Sequence, residues 1–235
     1  MTALVALILA GMYTFLKPIH DTNEALYNKK AILSAVEEHL DGELKKMSDA
    51  EIQGIFDNQI EQKVLDMSGS EVDAEEVMAK GHKGGLAENL DMKKEVKKPQ
   101  SEQIFPLFVF TKSDGQKYYI LYARGKGLWD EIWGHIAFED DLNTIAGVAY
   151  DHAQETPGLG AEIKDNVAWK NQFIGKKIYS DDGAFRSVLV RKGGAKDPVY
   201  EVDGISGATI TGDGVSEMLE RGLQYYEPYL KSIKG

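Results

Sequence analysis

Apolar residues first occur along the chain as one uninterrupted, uncharged run, residues 1–16. A helix of that length covers about 24 Å, against roughly 30 Å of bilayer hydrocarbon. We therefore predict a membrane anchor over residues 1–17 that is truncated or begins at a later start position than the full helix would. A cleaved signal peptide and a buried soluble helix stay open as alternatives, although a basic leader and a small-residue cleavage site are both missing.

A polar helical pattern follows, with apolar positions near one stripe between Leu26 and Leu40, and it predicts a helical stalk. Apolar residues that step by four from Ile52 to Val64 predict another helix with a possible strand at its end. Residues 66–101 are dominated by Gly, Glu and Lys without an apolar face, which is typical of a solvated linker or surface insertion. We assign residues 18–101 to this stalk and insertion.

The second half of the chain predicts successive β-hairpins and a final helix. The Asp114-Gly115 pair between two apolar strands is a strong hairpin signal. Apolar positions from Val215 to Leu230 predict an amphipathic helix that begins after a Gly-rich turn. The predicted fold is α+β, an antiparallel sheet built from hairpins and packed with helices, in a domain over residues 102–235. The three strand pairs are 105–110 with 117–123, 132–138 with 144–152, and 176–180 with 185–191.

Charge and cysteine content exclude several classes of function. The chain has 27 Lys and Arg against 38 Asp and Glu, a net charge of -11, which disfavours binding to nucleic acid. It contains no cysteine, so disulfides, thiolate nucleophiles and cysteine-ligated iron–sulfur clusters are excluded.

Glycine is concentrated in three short loops, and the first two could lie against a flat or anionic ligand. In the loop from Gly125 to Trp129, Asp130 stands where a dinucleotide fingerprint needs its third Gly, so we predict no NADH site. A hairpin corner with a core Trp is the alternative there. The loop from Glu155 to Gly160 follows His152, and without a third convergent ligand we predict no metal. Ordinary turn chemistry remains the alternative there.

The third loop, from Asp203 to Thr211, sets hydroxyls among glycines before the final helix. A helix N-terminus of this kind favours a phosphate. A turn that only caps the helix and binds no ligand remains an alternative. A serine hydrolase using Ser206 would need the pattern G-x-S-x-G, and Ala208 stands at its last position. A Walker loop is excluded because no Gly-Lys-Ser/Thr is present.

The run DGISGATIT, residues 203–211, resembles the flavinylation motif Asp-x-x-Ser/Thr-Gly-Ala-x-x-Thr of the FMN-binding domain family. The Gly-Leu-Trp and ETPGLG segments are similar to other segments of that family. More narrowly, GLWDEIWGHIAFEDDLNTIAGV, WKNQFIGKKI and LKP at residues 16–18 resemble the C subunits of sodium-translocating NADH:quinone oxidoreductases. The G subunits of Rnf-type electron-transport complexes share ETPGLG and SGAT but usually lack the Gly-Leu-Trp form.

The resemblance implies an electron-transfer subunit that carries FMN, joined by a phosphoester to Thr211. A separate flavin transferase would attach it from FAD and release AMP, so no catalytic residue and no metal are expected of this chain. Asp203 would help the transferase recognise the motif. The residues implied to contact the flavin or its phosphate are Ser206, Gly207, Ala208, Thr209, Gly127, Leu128, Trp129, Glu155, Thr156, Gly158, Leu159 and Gly160.

The resemblance also implies partners and a location. Other membrane subunits of the oxidoreductase and the membrane itself would be partners. The chain would cross a bacterial inner membrane once, with its soluble domain outside the cytoplasm. Lys17, Lys29 and Lys30 follow the apolar run, and the positive-inside rule applied to them alone would leave the domain in the cytoplasm. A G subunit of an Rnf-type complex, or a flavin-binding module without relay duty, remains an alternative.

Overall fold

The structure is a computed structural model that describes residues 2–234. Within them, helices α1 to α8 span Thr2–Ser34, Asp49–Gln59, Ala74–Ala79, Met92–Glu95, Glu162–Asp165, Val167–Asn171, Thr209–Gln224 and Glu227–Lys234. Strands β1 to β7 span Ile60–Asp66, Ile104–Thr111, Lys117–Lys126, Glu131–Phe138, Ile145–His152, Leu189–Arg191 and Glu201–Asp203. Short 3₁₀ helices span Glu37–His39, Leu44–Lys46, Lys83–Gly85, Ala87–Asn89 and Gln100–Glu102.

Strands β1 to β5 form one antiparallel sheet in which each strand pairs with its neighbour in the chain. Helices cover both faces. Along β2, Phe105 and Leu107 enter the core under α7, whereas Ile104 and Phe108 enter the core under α1 and α2. Burial on both faces explains why β2 is an unbroken apolar run. The α+β fold and the first two predicted hairpins are therefore confirmed.

The third predicted hairpin forms only beside its turn at Asp182-Gly183 and does not continue into two paired strands. In the described part of the chain, residues 176–180 and 185–191 meet at the single bridge Tyr179–Phe185, and β6 instead pairs in parallel with β7. Ser187 takes a φ of 58° and is fully buried. This left-handed residue turns the chain away from an antiparallel register.

Residues 66–101, which the sequence predicts to be a solvated linker or surface insertion, are mostly exposed, but several buried side chains attach the segment to the rest of the fold. Val77 is fully buried, and β1, which ends at Asp66, belongs to the sheet. Glu95 is 0% exposed and accepts hydrogen bonds from His82 Nε2 at 2.6 Å and from the Ile104 amide at 3.2 Å. Burial by itself would raise the pKa of Glu95, but the hydrogen bonds from Lys98 and His82 lower it below its usual value. Because buried polar pairs leave no apolar pattern in the sequence, the pattern indicated a solvated segment.

The predicted anchor and the start of the stalk form one helix, α1, with Pro18 inside it. Side chains from Val5 to Ala25 are exposed, and Ile32 and Leu33 enter the core. Across residues 2–234, no helix has both the length and the apolar character needed to cross a membrane. The division into residues 1–17, 18–101 and 102–235 stays a prediction.

Helix α7 begins earlier than the sequence predicts. It starts at Thr209, so Gly212 and Gly214 lie inside the helix and not in a turn before it. A Cβ at Gly214 would overlap the Lys126 carbonyl oxygen, so glycine here allows the helix to approach β3 closely. Val215, Leu219 and Leu223 are fully buried, which confirms the apolar stripe as far as Leu223. The single helix predicted to reach Leu230 is instead two helices, because α7 ends at Gln224 and Leu230 lies in α8.

Candidate functional site

The three Gly-rich loops meet at one end of the sheet. The first joins β3 to β4, the second follows β5, and the third leads into α7. Their meeting point is the side chain of Glu155. It is 5% exposed, although the loop that carries it is otherwise open to solvent from Thr156 to Leu159.

Glu155 bonds to each of the other two loops. Thr211, in the first turn of α7, is 1% exposed and donates from Oγ1 to Glu155 Oε2 at 2.7 Å. The backbone amide of Trp129 donates to Glu155 Oε1 at 3.0 Å. One buried carboxylate thus holds together the three segments that the sequence singled out.

Glycine is required around this carboxylate for steric reasons. A Cβ at Gly160 would overlap Glu155 Oε2 and lie 2.8 Å from Thr211 Oγ1. A Cβ at Gly127 would overlap Glu155 Oε1. Any side chain at either position would displace the carboxylate, because non-bonded atoms do not approach each other this closely. The glycines of the first two loops therefore make room for Glu155.

Further contacts fix the loop from Glu155 to Gly160. The Glu155 amide donates to His152 Nδ1 at 3.1 Å, and Trp129 Nε1 donates to Thr156 Oγ1 at 3.1 Å. Leu159 packs against Gly207, where a Cβ would lie 2.7 Å from Leu159 Cδ2. The His152 ring thus stabilises this turn by accepting a backbone hydrogen bond. In residues 2–234 no cluster of three side chains could hold a metal ion.

A cavity of about 490 Å³ lies beside the N-terminus of α7. The first amides of a helix have no intrahelical acceptor, and here no side chain caps them and no acidic residue occupies the first turn. This end of α7 therefore favours an anion. The Thr211 hydroxyl points to Glu155, while its neighbours Thr209 and Gly212 line the cavity. The lining residues are Val190, Lys192, Gly193, Gly194, Asp203, Gly204, Ile205, Ser206, Gly207, Ala208, Thr209, Gly212 and Asp213.

Large apolar side chains are exposed around the same loops. Trp129 is 65% exposed and Ile210 is 58% exposed, and Leu128 and Leu159 are also open to solvent. Apolar side chains grouped at one place on a surface mark a site for a ligand or a partner.

Asp203 organises the chain next to the cavity. Its Oδ1 accepts from the Ala195 amide at 2.8 Å, and its carbonyl accepts from Trp169 Nε1 at 2.7 Å. Its own amide donates to Gln172 Oε1 at 2.9 Å. Sequence reasoning did not single out Trp169 or Gln172, although both lie in the WKNQF segment that carries part of the resemblance. Recognition of Asp203 by a transferase stays a prediction.

The sequence profile of the FMN-binding domain matches residues 127–224, which include the second and third loops and the first loop from Gly127 onward. The C subunit of the Na(+)-translocating NADH-quinone reductase of Pseudomonas aeruginosa is 31% identical, over 99% of this chain and 95% of its own length. The chain belongs to this family of C subunits. The C subunit of Neisseria meningitidis serogroup B, also 31% identical, aligns with 98% of this chain and 89% of its own length.

Solved structures of the C-subunit family share the fold. The crystal structure of the C subunit from Parabacteroides distasonis is 34% identical, with a TM-score of 0.75 over 92% of this chain and 96% of that one. NqrC of Shewanella oneidensis is 26% identical, with a TM-score of 0.69 over 90% and 98% of the two chains. Because these matches cover nine-tenths or more of the chain, the shared fold extends beyond residues 127–224.

Proposed function

We propose that this chain is an electron-transfer subunit of a sodium-pumping NADH:quinone oxidoreductase and that it carries FMN joined to Thr211 by a phosphoester. The observation that supports this proposal is the convergence of the three loops on the Glu155–Thr211 pair. The flavin, when bound, supplies reversible electron acceptance, which no side chain of this cysteine-free chain offers at modest potential.

The residues present fit an FMN group. The unpaired amides at the start of α7 suit the phosphate, and the small residues from Ser206 to Thr209 leave room beside it. The exposed side chains of Leu128, Trp129 and Leu159 offer apolar surface to the ring system. Thr156, Gly158 and Gly160 complete that surface in the proposal.

Attachment requires a partner enzyme in this proposal. A flavin transferase would use FAD as donor and release AMP, with Asp203 as part of the motif that it recognises. Thr211 is 1% exposed, so its hydroxyl must become accessible, through local movement of neighbouring residues, before a donor phosphorus can reach it.

Membrane association belongs to the same proposal. The first half of α1 stands clear of both cores and exposes large apolar side chains, among them Leu7 at 72% and Phe15 at 78%. We propose that this helix anchors the chain in a bacterial inner membrane beside the other membrane subunits. The proposed topology is single-pass, with the domain outside the cytoplasm.

The first test is the covalent attachment. The full chain, co-expressed with a flavin transferase, is expected to gain the mass of one FMN less one water and to fluoresce in a denaturing gel. Peptide mapping should place the added mass on residues 203–221. Thr211→Val should abolish the label, whereas Thr111→Val, a matched change at the end of β2, should keep it. Label that persists in Thr211→Val would disprove the attachment site.

The second measurement separates an electron relay from a flavin-binding module without relay duty. Quinone reduction by the assembled complex should be lost in Thr211→Val and kept in Thr111→Val. Normal quinone reduction by a complex without the Thr211-linked flavin would favour the module. Labelling of Ser206 by a fluorophosphonate would instead indicate a serine hydrolase.

A further inference from the structure

The hydroxyl of Thr211 has a partner suited to accept its proton. A threonine hydroxyl is a weak nucleophile until a base removes its proton. A general base must lie within about 2.6–3.2 Å of the atom that it deprotonates. Glu155 Oε2 is 2.7 Å from Thr211 Oγ1 and accepts its hydrogen bond.

The carboxylate of Glu155 is held in place from several directions. Trp129 donates its amide to Oε1, and the Glu155 amide is bonded to His152 Nδ1. Gly127 and Gly160 enclose the two oxygens without space for a Cβ. A group pinned in this way needs little reorganisation when it takes a proton, which favours a base role over that of a passive neighbour.

From these contacts we infer that Glu155 is the general base for the attachment of flavin to Thr211. The inference rests on the proposed function, because it concerns the reaction that would modify Thr211. It adds a catalytic residue on this chain, where the resemblance alone places all of the catalysis in the transferase.

The step balances with FAD as co-reactant. Thr211 Oγ1 attacks the phosphorus on the FMN side of the FAD pyrophosphate, and a new O–P bond forms. The bond between that phosphorus and the bridging oxygen breaks, and AMP leaves with its electron pair. The proton of the Thr211 hydroxyl passes to Glu155 Oε2 and then to solvent. No atom is oxidised or reduced in this step.

The test is the rate of flavin attachment to the purified full chain, incubated with FAD, Mg²⁺ and a purified flavin transferase. AMP release and the fluorescence of the denatured band are both followed. Glu155→Gln keeps one oxygen, which can accept from Thr211 or from the Trp129 amide but not from both, and it takes up no proton, so we expect its rate to fall about 100-fold. Glu155→Asp keeps a carboxylate on a shorter chain, and we expect it to recover part of the rate. Denaturant unfolding of each variant shows whether the fold is kept.

The outcomes are distinguishable. If the wild-type chain is labelled and Glu155→Gln is labelled at least as fast as wild type, the base role is overturned and Thr211 remains the attachment site. Faster labelling would mean that Glu155 restrains Thr211. A Gln variant that outperforms the Asp variant would indicate positioning and also overturn the base role. A wild-type chain that never gains label overturns the proposed attachment and this inference together.

Discussion

At the scale of single residues, this site depends on one carboxylate and on the absence of side chains around it. Glu155 bonds to Thr211 and to the Trp129 amide, and Gly127 and Gly160 leave the space that it occupies. A Gly-rich loop is usually interpreted as backbone that approaches a ligand. Here the glycines at 127 and 160 first accommodate another part of the protein.

Gly160→Ala tests this role. The added methyl group would overlap Glu155 Oε2 and break its bond to Thr211, so we expect covalent flavin to fall at least tenfold. Overpacking should also lower the free energy of unfolding by about 1–3 kcal/mol. Gel fluorescence and denaturant unfolding measure the two effects.

Gly54→Ala is the matched control for Gly160→Ala. It lies in α2, where a Cβ meets no atom within 4 Å, and alanine should stabilise the helix by up to about 1 kcal/mol. If Gly160→Ala proves as harmless as Gly54→Ala, the packing described around Glu155 is wrong.

At the scale of elements, α7 connects the site to the core. Its first turn carries Thr211, and its apolar stripe packs on β3 and β4. Glycines along the helix bring it close to the sheet: a Cβ at Gly222 would lie 2.7 Å from Ala123 Cβ and 3.1 Å from Ala123 Cα. The position of the Thr211 hydroxyl relative to Glu155 thus depends on how closely α7 packs against β3.

Gly222→Ala should push α7 away from β3. We expect a loss of about 1–3 kcal/mol in the free energy of unfolding, because the clash involves backbone that cannot move aside. The denaturant midpoint measures it. Glu220→Ala, an exposed position on the same helix, should change stability by less than about 0.5 kcal/mol. Equal effects at the two positions would contradict the close packing.

At the scale of the whole molecule, two cores share one sheet. The first lies under α7 and the second under α1 and α2. His135 on β4 is 9% exposed and lies near the rings of Phe108 and Tyr122. Burial lowers the pKa of His135 from 6.5 to about 4, so the folded protein keeps this ring neutral.

This burial predicts a pH dependence of stability. Between pH 6.5 and about 4 the unfolded chain binds a proton on His135 and the folded protein does not. The free energy of unfolding should therefore fall as the pH drops through this window, by roughly 3 kcal/mol from His135. Denaturant unfolding at a series of pH values measures the slope.

Two leucine variants isolate the contribution of His135. His135→Leu should flatten the slope in this window, although the variant itself has a different stability. His20→Leu, at an exposed position on α1, should keep the wild-type slope. Parallel curves for wild type and His135→Leu would rule out His135 as the cause.

The sequence by itself determined those features that local patterns encode. Periodicity placed β2 to β5 and the apolar stripe of α7, and the loops with unusual glycine content proved to meet at one site. The DGISGATIT run and its companion segments identified the family, because such motifs depend on neighbouring residues in the chain. Each of these signals is read within a window of a few residues, where backbone propensity and side-chain alternation act directly.

Only the tertiary structure decided which groups meet. Thr211 and Glu155 lie 56 residues apart, and nothing local specifies that this carboxylate and this hydroxyl share a hydrogen bond. The buried Glu95 and His82 pair attaches to the fold a segment whose pattern indicated only solvation, and the left-handed Ser187 ended a hairpin that the pattern predicted. In each case the structure depends on a long-range contact or a buried polar group. Hydrophobic periodicity does not reveal these features, because it reflects side-chain hydrophobicity and not hydrogen-bond partners.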